Sequence, residues 1–180
     1  LSRLGIESVG ALNDAITAGR TREVILVSEA LQEQQIAEIA QQVVEHAKDS
    51  RIVLIAGPSS SGKTTFSKRL TIQLLAQGLS PYPIELDNYF VDRDQTPLDE
   101  NGHYDCESLR ALNTELLANH LQQLINGEEV QLPRYNFTTG FSETGEVVRL
   151  RKEQLIILEG IHGLNPNLLP SIRENQTYRV

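Results

Sequence analysis

The chain has 180 residues, of which 39% are apolar and 22% are charged, and its formal net charge is −8 at pH 7. This is the composition of a globular protein that is long enough to bury a core. Its acidic charge disfavours general binding to nucleic acid, because phosphate backbones are repelled. The single cysteine, Cys106, excludes an internal disulfide and fits a reducing compartment, and no apolar run approaches the length that spans a bilayer. We therefore expect a cytoplasmic protein with no nucleic-acid or membrane partner.

The two ends of the chain suggest a piece of a longer protein. The chain begins at Leu1, contains no methionine, and ends in residues 177–180, which have the character of a strand that is just beginning. We expect residues 1–50 to form a helical connector and residues 51–180 to form the main domain, cut short at its C-terminal end.

The N-terminal extension carries one short and one long helical pattern. Residues 9–18 predict a short helix that ends at Gly19. The apolar run at 24–27 predicts a short strand, after which Ser28 is expected to cap a helix over residues 29–48. Apolar residues recur at helical spacing along that helix and predict a packing face formed by Ile36, Ile39, Ala40, Val43, Val44 and Ala47.

The remaining elements alternate between strands and helices. A continuous apolar run at 52–56 predicts a strand that is buried on both faces. The elements after it are a helix over 62–77, a strand over 82–86, a loop over 88–106, a helix over 107–126, strands over 130–137 and 146–150 around a turn over 138–145, and a strand over 155–158. This alternation predicts an α/β fold with a parallel sheet flanked by helices.

A phosphate-binding motif lies between the first buried strand and the helix that follows it. The pattern G-x-x-x-x-G-K-[ST] is matched by Gly57, Pro58, Ser59, Ser60, Ser61, Gly62, Lys63 and Thr64, and Thr65 comes next. The glycines allow a loop whose backbone N–H groups point at phosphate oxygens, and the helix adds its positive end. Lys63 is expected to reach the β- and γ-phosphates, and the Thr64 hydroxyl to ligate Mg²⁺. The motif thus predicts a P-loop NTPase-type sheet that binds ATP and Mg²⁺.

Two acidic residues are expected at the carboxyl ends of strands, where open α/β sheets bind their ligands. Asp87 follows the strand over 82–86, and Glu159 follows the strand over 155–158. Each carboxylate could face the γ-phosphate and its Mg²⁺. We assign Asp87 to orient and deprotonate an acceptor hydroxyl, and Glu159 to hold the metal or its water shell.

Signatures of several other phosphate-binding proteins are missing from the sequence. It has no N-K-x-D string for guanine, no L-S-G-G-Q string of transporter ATPases, and no H-R-D or D-F-G string of protein kinases. A D-x-x-G string at 99–102 follows Thr96-Pro97-Leu98 rather than a strand, so it is interpreted as a turn. By elimination, a small-molecule phosphotransferase is favoured.

Four further motifs give the chain a resemblance to a known family. They are Leu86-Asp87-Asn88-Tyr89-Phe90, Tyr104-Asp105-Cys106-Glu107, Pro133-Arg134-Tyr135-Asn136-Phe137 and Leu158-Glu159-Gly160-Ile161-His162. With the P-loop, they make the chain resemble the uridine kinase and phosphoribulokinase family over nearly its whole length. Within that family it is similar to the kinase part of long bacterial nucleoside kinases, which carry a threonyl-tRNA-synthetase-like region upstream. The resemblance implies a β-hairpin over the acceptor site and a lid with phosphate-contacting arginines beyond Val180.

The resemblance also implies roles for residues at matching positions. Asp87 matches the general base that takes the proton of a 5′-hydroxyl, and Glu159 matches the Mg²⁺-associated carboxylate. Asp105 matches a carboxylate that binds ribose hydroxyls. Tyr135 matches an aromatic residue of the base pocket, and Phe137 is expected to line that pocket.

The expected reaction is transfer of the γ-phosphoryl of MgATP to the 5′-hydroxyl of a nucleoside, with Asp87 and Lys63 as the catalytic residues. Uridine–cytidine kinases carry a His-Ser-Arg string after the Tyr/Phe motif, whereas this chain has Thr139-Gly140-Phe141. Two alternatives stay open: a kinase of the same family acting on a sugar phosphate, pantothenate or glycerate, and a non-catalytic nucleotide-sensing module. A homo-oligomer is compatible with each of them.

Overall fold

Two helices form the N-terminal part of the chain in the computed structural model, which describes residues 2–47 and 50–180. Helix α1 (Val9–Thr17) is followed by Gly19, which turns the chain at a φ of +76°. Glycine adopts this conformation without strain. Helix α2 (Thr21–His46) begins directly after the turn. The short helix and the glycine that ends it are confirmed.

Helix α2 is continuous, so the strand predicted at 24–27 and the helix start predicted at Ser28 are both wrong. Val24 is buried in a small apolar cluster with Ile6 and Ala15, so this stretch packs against helix α1 and not in a sheet. The Ser28 hydroxyl donates to the Val24 carbonyl at 2.7 Å within the helix. Among the described residues, no helix combines the length and the apolar character needed to cross a membrane.

Among the described residues, four parallel strands form the central sheet, and two antiparallel strands form a hairpin. The strands are β1 (Ile52–Ala56), β2 (Pro81–Glu85), β3 (Glu129–Asn136), β4 (Phe141–Arg149), β5 (Leu155–Gly160) and β6 (Thr177–Arg179). The order in the sheet is β2-β5-β1-β6, and the register sets Ala56 opposite Gly160 and Glu85 opposite Glu159. The carboxyl ends of β1, β2 and β5 therefore meet at one edge, and the predicted parallel α/β fold is confirmed.

Helices cover both faces of the sheet. α2 and α3 (Lys63–Ala76) lie on one face and share a buried cluster formed by Ile36, Ala40, Val43, Val53, Ile55, Leu70, Leu74, Leu155 and Ile157. α4 (Thr114–Ile125) supplies Leu117 and Leu121 to a second cluster, which contains Leu54 and Ile156 of the strands. Successive strand residues point to opposite faces, which explains why the strands have continuous apolar runs. The predicted packing face of α2 is confirmed at its three buried positions.

Helix α4 begins later than the sequence predicts. The expected start at residue 107 is wrong, because the Asn113 side chain accepts the Leu116 backbone N–H at 3.0 Å and caps the helix there. Before that cap, the Ser108 hydroxyl accepts the Arg110 backbone N–H at 3.3 Å in a short 3₁₀ turn. Local side-chain hydrogen bonds of this kind compete with a helix, so the loop after β2 extends to residue 113.

The hairpin is longer than the sequence predicts. β3 and β4 pair from Glu129–Arg149 to Asn136–Phe141, so only residues 137–140 remain as the turn. The second half of the turn predicted over 138–145 is therefore strand. Gly140 closes the turn at a φ of +80°, and its backbone N–H donates to the Asn136 carbonyl at 2.7 Å.

Strand β2 forms one edge of the sheet and carries two prolines, Pro81 and Pro83. Residues two apart on a strand point their backbone groups to the same side, and proline has no N–H to donate. Because β2 pairs with β5 on one side only, the nitrogens of both prolines must face the other side, which is the open edge of the sheet.

Candidate functional site

The P-loop connects β1 to α3 through a tightly wound backbone. Gly62 adopts a φ of +92° directly before α3. A Cβ at Gly57 would lie 2.8 Å from the Ser61 hydroxyl oxygen and 3.2 Å from Cγ of Lys63. Both positions therefore call for glycine, which accounts for the glycine spacing of the motif. The loop ends at the positive end of the α3 dipole, where an anion is favoured.

Lys63 folds back over the loop that precedes it. Its ammonium donates to the Pro58 carbonyl at 2.8 Å, which holds the positive charge against the loop. Residues 58–62 and the two threonines after Lys63 are exposed, so a nucleotide can reach all of the contacts predicted there. Loop N–H groups, helix dipole and ammonium together form a site for a polyphosphate.

Thr64, in the first turn of α3, contacts Glu159 near the carboxyl end of β5. The Thr64 hydroxyl donates to Oε1 of Glu159 at 2.8 Å, although the two residues are far apart in sequence. The second carboxylate oxygen, Oε2, is buried and has no hydrogen-bond partner among the described residues. A hydroxyl and a carboxylate with a free oxygen are the oxygen ligands that Mg²⁺ prefers, directly or through its waters. The residues present therefore fit a Mg²⁺ site.

Asp87 is carried by a 3₁₀ turn (Leu86–Tyr89) that directly follows β2. Leu86 and Tyr89 are buried on either side of it, and the Tyr89 hydroxyl lies 3.2 Å from Nδ1 of His120 on α4. The burial of Leu86 and Tyr89 fixes the turn, and with it Asp87, at the carboxyl end of β2. Partial burial raises the pKa of the Asp87 carboxyl, and the neighbouring Lys63 ammonium opposes that rise. The structure therefore brings the predicted base close to the P-loop lysine.

An aromatic cluster stands at the end of the hairpin. The Tyr135 and Phe137 rings have centroids 5.0 Å apart at 77°, and Phe90 lies 5.5 Å from Tyr135 and 6.2 Å from Phe137. Phe137 is 59% exposed, so its ring presents apolar surface to solvent. The structure thus brings Tyr135 and Phe137 together, beside the segment that carries Asp87.

Asp105 lies in the long loop and takes part in a turn. Its Oδ1 accepts the backbone N–H groups of Glu107 at 3.1 Å and Ser108 at 3.0 Å, and its own N–H donates to the Pro97 carbonyl at 2.7 Å. Among the described residues, these hydrogen bonds all stay within the loop. One carboxylate oxygen is therefore used by the turn, and Oδ2 is the atom through which Asp105 could bind a hydroxyl.

Three residues hold the hairpin against the loop after β2: Asn88 and Asp92, for which the sequence predicts no role, and Arg93, which the sequence predicts to be a solvated loop arginine. The Asn88 side chain accepts the Tyr135 backbone N–H at 3.2 Å, and the Asp92 carboxylate accepts the Ser142 backbone N–H at 2.8 Å. The Arg93 guanidinium donates to the Phe137 carbonyl at 2.8 Å. The available signal was the position of Asn88 and Asp92 in a loop, since such side chains often accept backbone N–H groups.

Two cavities flank these residues. One, of about 430 Å³, lies beside the P-loop and includes Lys63 and Thr65. The other, of about 690 Å³, lies between β2 and the hairpin and includes Asn88 and Arg134. None of the predicted catalytic, substrate-binding or metal-binding residues lines the larger cavity, so size alone does not identify the reaction centre.

Comparison with known proteins extends what the geometry indicates. The family model described as "Phosphoribulokinase / Uridine kinase family" matches residues 52–174. A uridine kinase of Anoxybacillus flavithermus is 32% identical over 127 residues, which cover 71% of this chain and 59% of that protein. A uridine kinase of Ligilactobacillus salivarius is also 32% identical, over 72% of this chain and 58% of that protein. The chain thus spans less than two thirds of these relatives.

A solved structure supports the same fold. The structure described as a possible uridine kinase from Bacillus stearothermophilus superposes with a TM-score of 0.64 at 24% identity, covering 78% of this chain and 77% of that one. Together, the P-loop geometry, the parallel sheet and the match of the family model over residues 52–174 lead to one conclusion: the chain belongs to the phosphoribulokinase and uridine kinase family.

Proposed function

We propose that the chain is the core of an ATP-dependent kinase that transfers the γ-phosphoryl of MgATP to the 5′-hydroxyl of a nucleoside. The observation that carries the proposal is the position of Asp87. Its carboxylate stands at the end of β2, close enough to Lys63 for the ammonium to affect its pKa. A carboxylate that lies within the electrostatic influence of a phosphate-binding lysine suits an acceptor hydroxyl that must be aligned with a phosphoryl group.

Donor binding is assigned to the P-loop. Its backbone N–H groups and the α3 dipole would hold the phosphates, and Lys63 would exchange its hydrogen bond to the Pro58 carbonyl for a phosphate oxygen. Thr64 and Glu159 would hold Mg²⁺, whose charge, when it is bound, neutralises the developing charge on the phosphoryl oxygens. The buried Oε2 of Glu159 is the atom left for this role.

Catalysis by the protein's own groups is mainly alignment and proton removal. The loop, Lys63 and the aromatic cluster would position donor and acceptor, and positioning of this kind supplies roughly 7–11 kcal/mol. Asp87 would accept the hydroxyl proton as the phosphoryl group is transferred. Because burial raises the pKa of Asp87, its carboxylate is a stronger base than an exposed one.

The nucleoside is assigned to the space beside the aromatic cluster. Tyr135, Phe137 and Phe90 supply flat apolar surface for a base, and Oδ2 of Asp105 supplies an acceptor for a ribose hydroxyl. The relatives named uridine kinase support a nucleoside as the acceptor class. We propose residues 51–180 as the catalytic domain and residues 1–50 as its helical extension.

A second acceptor class is favoured by the hairpin turn. A Cβ on Gly140 would lie 2.7 Å from Nε of Arg93, so the Arg93 guanidinium lies against the turn that replaces the His-Ser-Arg string of uridine–cytidine kinases. The Arg93 backbone N–H also donates to the Gly140 carbonyl at 2.8 Å. A guanidinium at this turn is suited to an anionic acceptor, which keeps a sugar phosphate, pantothenate or glycerate as the alternative.

The test is transfer of labelled γ-phosphate from ATP to a panel of acceptors. The panel contains uridine, cytidine, adenosine, guanosine, ribulose 5-phosphate, pantothenate and glycerate, and Asp87→Asn is the control. The assay is run on this chain and on a form extended beyond Val180, where we propose that a lid follows. Label on one nucleoside, lost in the control, supports the proposal and names the acceptor. Label on an anionic acceptor instead selects the second class, and MgATP binding with no transfer selects a nucleotide sensor.

A further inference from the structure

One residue that lines the cavity beside the P-loop lies outside the segment that the family model matches. Gln32 of α2 lines it together with Ala56, Thr65, Phe66 and Val180. The family model begins at residue 52, so Gln32 belongs to the N-terminal extension. The extension therefore does more than pack against the sheet: it contributes a polar side chain to the space in which a nucleotide would lie.

The direction of a bound nucleotide follows from the positions of the charged groups. Glu159 is on β5 and Asp87 follows β2, and both strands lie on the same side of β1. The γ-phosphate must face these carboxylates if they hold its metal and its acceptor. β6 lies on the other side of β1, and Val180, which follows it, lines the cavity that contains Gln32. The nucleoside end of the donor therefore leaves the loop toward this cavity.

The Gln32 side chain is held in place by α3. Its Oε1 accepts a hydrogen bond from the Arg69 guanidinium at 3.3 Å, and the same guanidinium forms an ion pair with Glu33 at 3.1 Å. Because the amide oxygen is used by Arg69, the amide nitrogen Nε2 is left to donate. The amide nitrogen of Gln32 is thus available to donate a hydrogen bond to a ligand in the cavity that Gln32 lines.

The cavity continues along α2. A second space of about 390 Å³ shares Gln32 and Phe66 with the first and extends past Gln35 and Gln42. Phe66 is partly buried and packs against the cluster between α2 and α3, so its ring is fixed by the core. An apolar ring beside a row of amide groups suits a heterocyclic base, which is flat on its faces and polar at its edges.

We propose that Gln32 is a specificity-determining residue for the nucleoside end of the donor nucleotide, which makes the N-terminal helix a part of the donor site. The proposal rests on the proposed function for the orientation of the nucleotide. Gln32 Nε2 donates to an acceptor atom of the base or the ribose, and the base lies against Phe66. Arg69 acts on this contact only through Gln32, by fixing the orientation of the amide.

The experiment measures equilibrium binding of MgADP and of magnesium tripolyphosphate to the chain by calorimetry. The variant is Gln32→Ala, and the matched control is Gln34→Ala, because Gln34 is an exposed glutamine on the same helix that bonds to Glu38 and lines neither cavity. Loss of one hydrogen bond predicts that Gln32→Ala binds MgADP about 3- to 10-fold more weakly. Tripolyphosphate affinity is expected to be unchanged, and Gln34→Ala is expected to match the wild type with both ligands.

The inference is overturned by unchanged MgADP affinity in Gln32→Ala, or by an equal loss of both ligands, which would place Gln32 on the phosphates. Thermal unfolding of both variants shows whether the helix is intact. A different result would contradict the proposed function alone. If the chain binds MgADP through Gln32 but transfers no phosphoryl group, the inference about Gln32 stands and the kinase reaction is contradicted. A wild type that binds neither ligand overturns both.

Discussion

At the scale of the single residue, Asp87 is the position where we expect the largest effect on the reaction. Asp87→Asn keeps the size of the side chain and removes its basicity, so transfer is expected to fall about 10²- to 10⁴-fold. MgADP affinity should stay near the wild-type value, because the phosphates are held by the P-loop. Steady-state kinetics with the identified acceptor, together with calorimetry, measures the two effects. Near-normal turnover in Asp87→Asn would contradict the assignment of the base.

The raised pKa of Asp87 also predicts a dependence of stability on pH. Burial lifts the carboxyl pKa in the folded protein above its ordinary value of 3.8, so the fold disfavours the ionised form. This cost in folding free energy is absent at pH values below the pKa of the unfolded state. It reaches its full size at pH values above the pKa of the folded state. Asp87→Asn should therefore melt at a higher temperature than the wild type at pH 7, and the difference should shrink as the pH falls toward 4. A variant less stable at pH 7 would show that the carboxylate stabilises the fold.

Lys63 is the residue on which we expect phosphate binding to depend most. Lys63→Ala removes a charged hydrogen-bond donor, a change worth about 1.5–3 kcal/mol, so MgATP should bind at least about 10-fold more weakly. Lys68→Ala is the matched control, because Lys68 is an exposed lysine on the same helix. Equal affinities for MgATP in the two variants would remove Lys63 from the donor site.

The contrast between Lys63 and Asn88 shows which site residues the sequence could predict. The P-loop is a contiguous string whose spacing is dictated by phosphate geometry, so its residues could be named in advance. Asn88 acts on Tyr135, which lies 47 positions further along the chain, and no local pattern reports such a pairing. For Gln32 the sequence predicts only a place in a helical extension, because its contact with the cavity depends on how α2 packs.

At the scale of the element, the 3₁₀ turn that carries Asp87 packs closely against Gly160, the last residue of β5. A Cβ on Gly160 would lie 2.7 Å from Cβ of Leu86, so Gly160→Ala must displace the 3₁₀ turn. We expect a loss of about 1–3 kcal/mol of stability and a fall in kcat that exceeds the change in KM for ATP. Denaturant titration and kinetics measure the two quantities.

The control for this change is Gly10→Ala, in which the new Cβ meets only the Ser8 hydroxyl at 3.7 Å. Gly10 lies within α1, where replacing glycine by alanine stabilises a helix by roughly 1 kcal/mol. If Gly160→Ala behaved like Gly10→Ala, the packing of Leu86 would not determine where Asp87 stands.

The strands could be predicted from the sequence where helices cover both of their faces. Strands β1 and β5 are covered on both faces, so their apolar runs are continuous and easily recognised. The run at 24–27 looks the same over four residues, yet it is helical because Val24 packs against α1. The late start of α4 depends on Asn113 and Ser108, whose side chains cap turns that helical periodicity does not reveal.

At the scale of the whole molecule, α2 shares its core with the sheet. Ile36 is 1% exposed, in one cluster with Val53 and Leu70, so Ile36→Ala should cost about 2–5 kcal/mol of unfolding free energy. Leu26→Ala is the control on the same helix, because Leu26 is 54% exposed, and should change stability by less than about 0.5 kcal/mol. Chemical denaturation followed by circular dichroism measures both.

The same measurement bears on the division of the chain at residue 50. A single cooperative transition that Ile36→Ala shifts to lower denaturant would mean that α2 and the sheet unfold as one unit. Two transitions, of which Ile36→Ala shifts only the first, would mean that the extension unfolds independently of the main domain. That result would also weaken the case for Gln32 as part of the donor site.

The prolines at the edge of the sheet bear on how copies of the chain could associate. An exposed edge strand is a template on which another chain can add a strand, the route to many aggregates and to some dimers. Pro81 and Pro83 offer such a strand no N–H on β2, so an incoming chain could not complete its hydrogen bonds there. The two prolines therefore disfavour a homo-oligomer or an aggregate that forms by adding a strand to β2, the edge of the described sheet that lies nearest to Asp87.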